Sequence, residues 1–345
     1  MHQEQSTHPT AAINEAVLVS VGCAVYNGAK TLRRALEPLV QQDHPHVEII
    51  ICDDGSTDDS RTICQEYACR YQSIRYIENE KNLGLLANFN KLFQLAKGKY
   101  FLWADQDDIR DRTYISKCVA VLESDPEAVL CHSHSGVFWK KPENLMHVNT
   151  IDGVDNISGL FLRYWRFMRR FSDTTSYGLI RSSALSKTVL WTSDFGSAHV
   201  LLFDLLLNGK FRQVPETLYC YSARGLRYRP SPAEEYRRAN GGKDMPRYRR
   251  PFFVQAWNQT KTIRRSSCPM RAKVILGSML WSNVALANGS KAVFRLLDFV
   301  TRRHVPAWME KLCTFAVTDT QDIHFVVRPE ENRDYLPAAW LLRKM

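Results

Sequence analysis

The sequence predicts an α/β domain with a mostly parallel, doubly wound sheet, followed by a helical C-terminal region. Three observations predict it. Apolar, β-branched runs of strand length recur through the first 132 residues. Stretches with apolar residues at helical spacing separate them. Acid-rich polar clusters stand immediately after two of the runs, and a tyrosine and an asparagine follow a third.

Residues 17–26 (VLVSVGCAVY) form a continuous apolar run of the kind a strand buried on both faces requires, and Asn27-Gly28 ends it as a turn. Residues 29–42 place Leu32, Ala35, Leu36, Leu39 and Val40 on one helical face. A second strand is expected over 47–52, a helix over 58–70 and a short third strand over 74–77. Residues 84–97 read as a helix stopped by Gly98, 100–104 (YFLWA) as a fourth strand, 113–123 as a helix and 128–132 as a fifth strand. Strands alternating with helices at this spacing predict parallel pairing, and such sheets take their ligands at the carboxyl ends of the strands.

The second half is less regular. Residues 174–191 suit a strand and a helix, 198–207 a helix closed by Asn208-Gly209, and 210–218 a strand interrupted by Pro215. A domain over 15–220 is expected, then a basic loop over 221–250 and a helical region over 251–345.

With 45% hydrophobic and 24% charged residues, the chain has ample material for a core, which excludes a long disordered protein. No apolar run reaches the roughly 18–20 residues a membrane span needs, and the N-terminal stretch lacks the pattern of a secretory signal. Nine cysteines with no C-x-x-C pair argue against a disulfide framework or zinc site, and a cytoplasmic location is expected. The net charge of +10 suits a phosphate-bearing or anionic partner, and the excess gathers in FLRYWRFMRR (161–170) and in 224–250. A solvated basic surface accounts for these runs equally well.

Two acidic clusters carry the chemistry. In DDGSTDDS (53–60), Asp54-Gly55 makes a turn, and the Ser, Thr and Asp residues suit the start of the next helix. That local role leaves a carboxylate pair at a strand tip unexplained. In ADQDD (104–108), three carboxylates crowd within four residues, and like charges so close call for a cation. A hard divalent ion, Mg²⁺ or Mn²⁺, matches oxygen ligands of this kind. It would stabilise charge on a diphosphate leaving group. A solvated acidic loop is the plain alternative.

The succession VSVGCAVYNG, EIIICDDGSTDDS, YIENEKNLGLLANFN and LAKGKYFLWADQDD resembles the N-terminal half of the family 2 glycosyltransferases over residues 17–135. NLGLLANFN followed by DQDD is most similar to bacterial members that build surface polysaccharides, rhamnosyltransferase-like ones among them. The resemblance implies the GT-A fold, a Rossmann-like, mostly parallel sheet flanked by helices. It implies sugar transfer from a nucleoside-diphosphate donor, with inversion, to a hydroxyl of a glycan or lipid-linked acceptor. No nucleic acid enters that reaction, and the basic segments suggest peripheral contact with an anionic membrane at the inner face.

Carried over by position, the resemblance implies that Tyr26 packs on the base, that Ala24 contributes backbone only, and that Asp54 bonds a uracil-like edge. Asp107 would bind the metal, and Asp105 the ribose or the metal shell. The family's general base falls on or near Ala198, which cannot take a proton. Asp194 and His199 are the catalytic candidates, with Asp204 a further neighbour that suits a solvent-facing place instead. Tyr219, Tyr221 and Arg224 would face the acceptor or phosphates, or the tyrosines would pack in the core.

The displaced base leaves a second reading, a pseudoenzyme that binds a nucleotide-sugar without turnover. Two other enzyme classes fit poorly. A haloacid-dehalogenase-type phosphotransferase needs an Asp where Cys52 stands, and a nucleotidyltransferase needs a Gly-rich basic loop after the first strand.

Overall fold

A computed structural model describes residues 17–301, apart from 139–141, 143–144, 150–153, 155–156, 158, 170–171, 193–195, 223–235, 238 and 244–250. The first half follows the predicted alternation. Strands β1 (Val19–Val25), β2 (Val47–Asp53), β3 (Ile74–Glu78) and β4 (Tyr100–Asp105) pair in parallel, in the order β3-β2-β1-β4. Helices α1 (Ala29–Val40), α2 (Ser60–Arg70) and α3 (Leu85–Leu95) connect them. After β4 come the short β5 (Ile109–Arg110), α4 (Tyr114–Ser124), and a long β6 (Ala128–Phe138) that pairs with β7 (Leu145–Asn149).

Strands β1 and β4 are apolar along nearly their whole length because both sheet faces are covered, as burial on two sides demands. Val19, Val21, Cys23 and Val25 of β1 join Ile49 and Ile51 of β2 against Leu32 and Leu36 of α1 and Ile115 and Leu122 of α4. Their alternates, Ala24, Ile50, Cys52, Phe101 and Trp103, face Phe89 and Leu92 of α3. That period of two is the strand geometry itself.

The second half turns the sheet into a mixed one. Helix α5 (Leu160–Arg169) leads to a 3-10 turn (Asp173–Tyr177), strand β8 (Leu179–Arg181) and the short α6 (Ser182–Leu185). Helix α7 (Ser197–Asn208) and β9 (Lys210–Ser222) follow. The sheet continues β4-β8-β6-β9-β5, with β8 antiparallel to β4 and to β6, and β9 parallel to β6. Helices α8 (Pro251–Arg265) and α9 (Met270–Thr301) follow.

Three expectations are corrected. Strand β9 runs past its expected end at 218 to Ser222, with its ladder interrupted at Pro215 as expected. Ser133 pairs with Val214 and His134 with Thr217, so Pro215 and Glu216 bulge out of the ladder, where a missing N–H costs nothing. Residues 161–169 are not simply a solvated basic stretch. They form α5, which buries Arg163, Tyr164 and Phe167 and exposes Phe161, Leu162 and Trp165. Asp204 does not face solvent. It is buried in α7, ion-paired with Arg265 of α8, and accepts a bond from the Val189 N–H at 3.0 Å.

Among the described residues, Cys23, Cys52, Cys64, Cys69, Cys118, Cys220 and Cys268 are free thiols. Among the described residues, no helix is long and apolar enough to cross a membrane.

Candidate active site

Strand register assembles the rim. Ala24 of β1 stands beside Cys52 of β2 on one side and Asp105 of β4 on the other, and Val25 stands beside Asp53. The polar residues that follow β1, β2 and β4 therefore share one edge of the sheet.

The loop after β1 is stapled to the loop after β2. Asn27 adopts a left-handed backbone with φ of 50°, which a short amide side chain tolerates. Its N–H donates to Ser56 Oγ at 2.9 Å, and its Oδ1 accepts from the Thr57 N–H at 2.8 Å. Gly28 N–H donates to Ser60 Oγ at 2.8 Å. Tyr26, 46% exposed, leaves its ring open to a planar ligand at this edge.

The two aspartates after β2 serve as braces. Asp53 is fully buried and accepts from the Ser56 N–H at 2.9 Å and the Tyr76 hydroxyl at 3.2 Å. Asp54, 2% exposed, accepts from Asn79 Nδ2 and the Leu83 N–H at 2.8 Å each, and from the Gly84 N–H at 2.9 Å. Asp54 thus orders the Asn82–Gly84 turn at the same rim. Gly84 has φ of +87°, and a Cβ there would lie 2.3 Å from the Gly241 nitrogen, so the turn also seats residues 239–241. Residues 239–241 of the 221–250 segment therefore pack against the turn that Asp54 braces.

The Asp105–Asp108 turn holds the charge. Asp105 and Asp107 are half-buried, and Asp108 is buried. Between the first two, Gln106 faces back. Its Oε1 accepts from the Tyr26 N–H at 2.8 Å and its Nε2 donates to the Tyr26 carbonyl at 3.0 Å, tying the ends of β1 and β4 together. The Tyr177 hydroxyl donates to Asp105 Oδ2 at 2.6 Å, and the Tyr219 hydroxyl donates to Asp108 Oδ2. Burial, with the nearby Asp107 charge, pushes Asp105 up to about 6. Burial and then Asp105 and Asp107 hold Asp108 well above the ordinary carboxylate range.

One cation sits beneath the carboxylates. Arg110 of β5, 2% exposed, donates to the Trp103 carbonyl at 2.7 Å and lies over the Tyr219 ring at 4.9 Å. Its charge draws Asp105 and Asp108 back toward ionisation. Tyr177, Tyr219 and Tyr221 stack in succession, with centroids 5.9 and 6.1 Å apart. Tyr219 is 4% exposed and so belongs to the core, with its hydroxyl turned to the acid turn. Arg224 lies outside the described residues.

The catalytic candidates separate. Asp194 lies outside the described residues. His199 is 4% exposed, within hydrogen-bonding distance of Gln259 at Nδ1 (2.7 Å), and packs on the Phe167 ring at 4.5 Å. Burial lowers its pKa to about 3, which makes it a neutral imidazole and a weak base. Ala198 offers no titratable group, and Ser197 Oγ accepts from the Thr192 N–H at 2.8 Å.

Arg110, Gln106 and Tyr177 were not among the sequence candidates. Arg110 had a signal, a lone Arg two residues beyond an acid run. Gln106 lies inside the acidic cluster and Tyr177 inside the 174–191 stretch, and neither residue type carries a signal of its own there.

A parallel sheet with its polar loops gathered at the carboxyl ends of β1, β2 and β4 belongs to the α/β proteins that take ligands at that edge. Residues 20–188 match the model of Glycosyl transferase family 2, and the chain carries a domain of that family. Over 229 residues, 61% of the chain, it is 26% identical to the glycosyltransferase YibD of Escherichia coli (strain K12), covering 62% of that protein. Over 116 residues, 34% of the chain, it is 32% identical to the chondroitin synthase of Escherichia coli, covering 17% of it. The chain therefore spans less than two thirds of the length of these curated relatives. Among solved structures it resembles S. aureus TarS 1-349 in complex with UDP-GlcNAc, with a TM-score of 0.59 at 15% identity, over 76% of this chain and 71% of that one. That likeness makes the fold GT-A-like.

Proposed function

We propose that the chain transfers a sugar from a nucleoside-diphosphate donor to a hydroxyl of a glycan or lipid-linked acceptor, with inversion at the anomeric carbon. The observation that carries this reading is the β1–β4 register, which sets Ala24 beside Asp105 and so brings Tyr26, Asp54, Asp105 and Asp107 to one rim. The family of residues 20–188 and the shared fold of TarS, solved with UDP and with UDP-GlcNAc, support it.

In this reading the base stacks on Tyr26, with Asp54 and the turn it braces alongside. Asp105 and Asp107 fit a hard divalent cation, Mg²⁺ or Mn²⁺. Their donors are oxygens, and burial with the Asp107 charge close by disfavours the ionised Asp105 even with Arg110 beneath it, which a bound cation would relieve. Among the described residues no group of three or more His, Cys, Asp or Glu could hold a metal ion by itself, so in this reading the substrate phosphates supply further oxygen ligands. When bound, the ion neutralises the charge that gathers on the departing diphosphate. Gln106 keeps the two loops at a fixed separation, and Tyr177 orients the Asp105 carboxylate.

The exposed face of α5 extends the reading to the acceptor. Phe161, Leu162 and Trp165 are 38%, 54% and 45% exposed, and the Arg169 guanidinium lies over the Trp165 ring at 4.6 Å. An apolar face bordered by arginines suits a peripheral site on anionic lipid.

Thermal melts with a panel of nucleoside-diphosphate sugars, with and without Mn²⁺, test the proposal. One donor should raise the melting temperature of the wild type in a cation-dependent way and leave Asp107→Ala unmoved. Absence of any shift across the panel overturns it. A shift without release of the nucleoside diphosphate supports the pseudoenzyme instead.

A further inference from the structure

The β1–β4 ladder ends at the pair Ala24 and Asp105. Beyond it, β1 enters the turn at Asn27 and β4 enters the acid turn, so the two backbones part. Tyr26 stands on one side of that gap. Gln106, between Asp105 and Asp107, stands on the other.

The Gln106 side chain closes the gap. A primary amide offers an acceptor oxygen and a donor NH₂ group, the same pair of functions a peptide unit offers. The oxygen takes the Tyr26 N–H at 2.8 Å, and the NH₂ group donates to the Tyr26 carbonyl at 3.0 Å. Only this orientation of the amide satisfies both partners, because the N–H needs an acceptor and the carbonyl a donor. A side chain thus extends the ladder past the point where the strands separate. The contact from α1 to the acid turn, Arg34 Nη2 to the Asp107 carbonyl, is longer at 3.4 Å.

A second observation is independent of those bonds. Gly28 has φ of −105°, a value open to any L-residue. Yet a Cβ there would lie 2.3 Å from Gln106 Oε1 and 2.5 Å from its Cδ. The space left by the absent side chain at 28 is therefore the seat of the amide. The other flank of the same loop is held from β2. The Val25 carbonyl accepts from the Asp54 N–H at 2.8 Å, and the Asn27 N–H donates to Ser56 Oγ at 2.9 Å. Tyr26, with its ring open at the rim, belongs to a backbone fixed on both sides.

We infer that Gln106 is a positioning residue whose amide locks the Tyr26 platform to the Asp105–Asp107 turn, so that the nucleoside and the diphosphate of one ligand are gripped as a unit. The role rests on the nucleoside-diphosphate reading above. Two half-sites on one rigid frame favour a ligand that spans both, because the second contact forms at a high effective concentration. Loosening the frame weakens the spanning ligand and spares a ligand confined to one half.

Two variants attack the joint from opposite sides. Gln106→Met removes both bonds and keeps the side chain long. Gly28→Ala leaves Gln106 in the sequence and displaces its amide from Tyr26. Calorimetry in Mn²⁺ measures two probes, inorganic pyrophosphate and whichever of UDP, GDP and dTDP the wild type binds most tightly. Each variant should bind the nucleotide about tenfold more weakly and pyrophosphate within about twofold of wild type. The double variant should be no weaker than Gln106→Met, since both changes break one joint. Tyr26→Ala should cost the wild type several-fold in nucleotide affinity and cost Gln106→Met little.

Unchanged nucleotide affinity in the variants overturns the inference, as does additive loss in the double variant. A matching loss of pyrophosphate also overturns it, because that marks general damage to the acid turn. So does a wild type that binds the nucleotide but not pyrophosphate. A wild type that binds none of the three nucleotides overturns the donor reading itself.

Discussion

Tyr177 and Asp105, 72 residues apart, are joined hydroxyl to carboxylate at 2.6 Å, so the second half of the domain braces the acid turn of the first. Removing that hydroxyl leaves a half-buried carboxylate without its donor. Tyr177→Phe should lower the unfolding free energy by about 1.5–3 kcal/mol, the usual worth of a hydrogen bond to a charged group. Urea titration read by tryptophan fluorescence measures it, and an unchanged midpoint would count against the brace.

His199 makes the fold acid-sensitive. Its folded pKa is lowered to about 3 from the ordinary 6.5, so the unfolded chain binds the extra proton between those values. Stability is therefore complete above pH 6.5 and is lost as pH falls toward 3. The slope is about 1.4 kcal/mol per pH unit for this one group. His199→Gln should flatten the fall, seen as a smaller drop in melting temperature between pH 7 and pH 5.

The Asp204–Arg265 pair ties α7 to α8. Arg265→Met strands a buried carboxylate and should destabilise the chain by about 2 kcal/mol, discounted because the arginine is 41% exposed. Adding Asp204→Asn should recover part of that loss. A double variant no better than Arg265→Met would show that the ion pair is not what joins the helices.

Gly84→Ala combines a strained positive φ with a Cβ driven into the Gly241 nitrogen and the Ala239 carbonyl. The residues 239–241 should then leave their seat, and trypsin should cleave after Arg237 several-fold faster than in the wild type. Equal cleavage rates would argue against the contact.

On α5, replacing Phe161 and Trp165 together by serine should reduce co-sedimentation with vesicles containing anionic lipid and leave the melting temperature nearly unchanged, because both side chains are already exposed. Wild-type protein that stays in the supernatant at low salt would end the membrane reading.

The first half of the fold was legible because its signals are local. Strand β1 is buried on every residue, so its pattern is unbroken, and the acid clusters follow their strands directly. The second half depends on partners distant in sequence. β5 has two residues and exists because Ile109 and Arg110 pair with Cys220 and Tyr219. α7 is buried nearly all round, so its sequence gives no polar face from which to read where Asp204 points. The site divides in the same way. Asp105 and Asp107 announce themselves by crowding, whereas Tyr177 and Arg110 acquire their places only through the sheet order β4-β8-β6-β9-β5.

That sheet order bears on how the protein can be cut. The segment that matches the family ends at residue 188, yet β9 is inserted between β6 and β5, and α7 lies between the sheet and α8. A gene trimmed at 188 would encode a sheet with a missing middle strand, bare unpaired edges and an uncovered apolar face, the conditions for inclusion bodies. Soluble expression calls for a C-terminal boundary beyond Arg265.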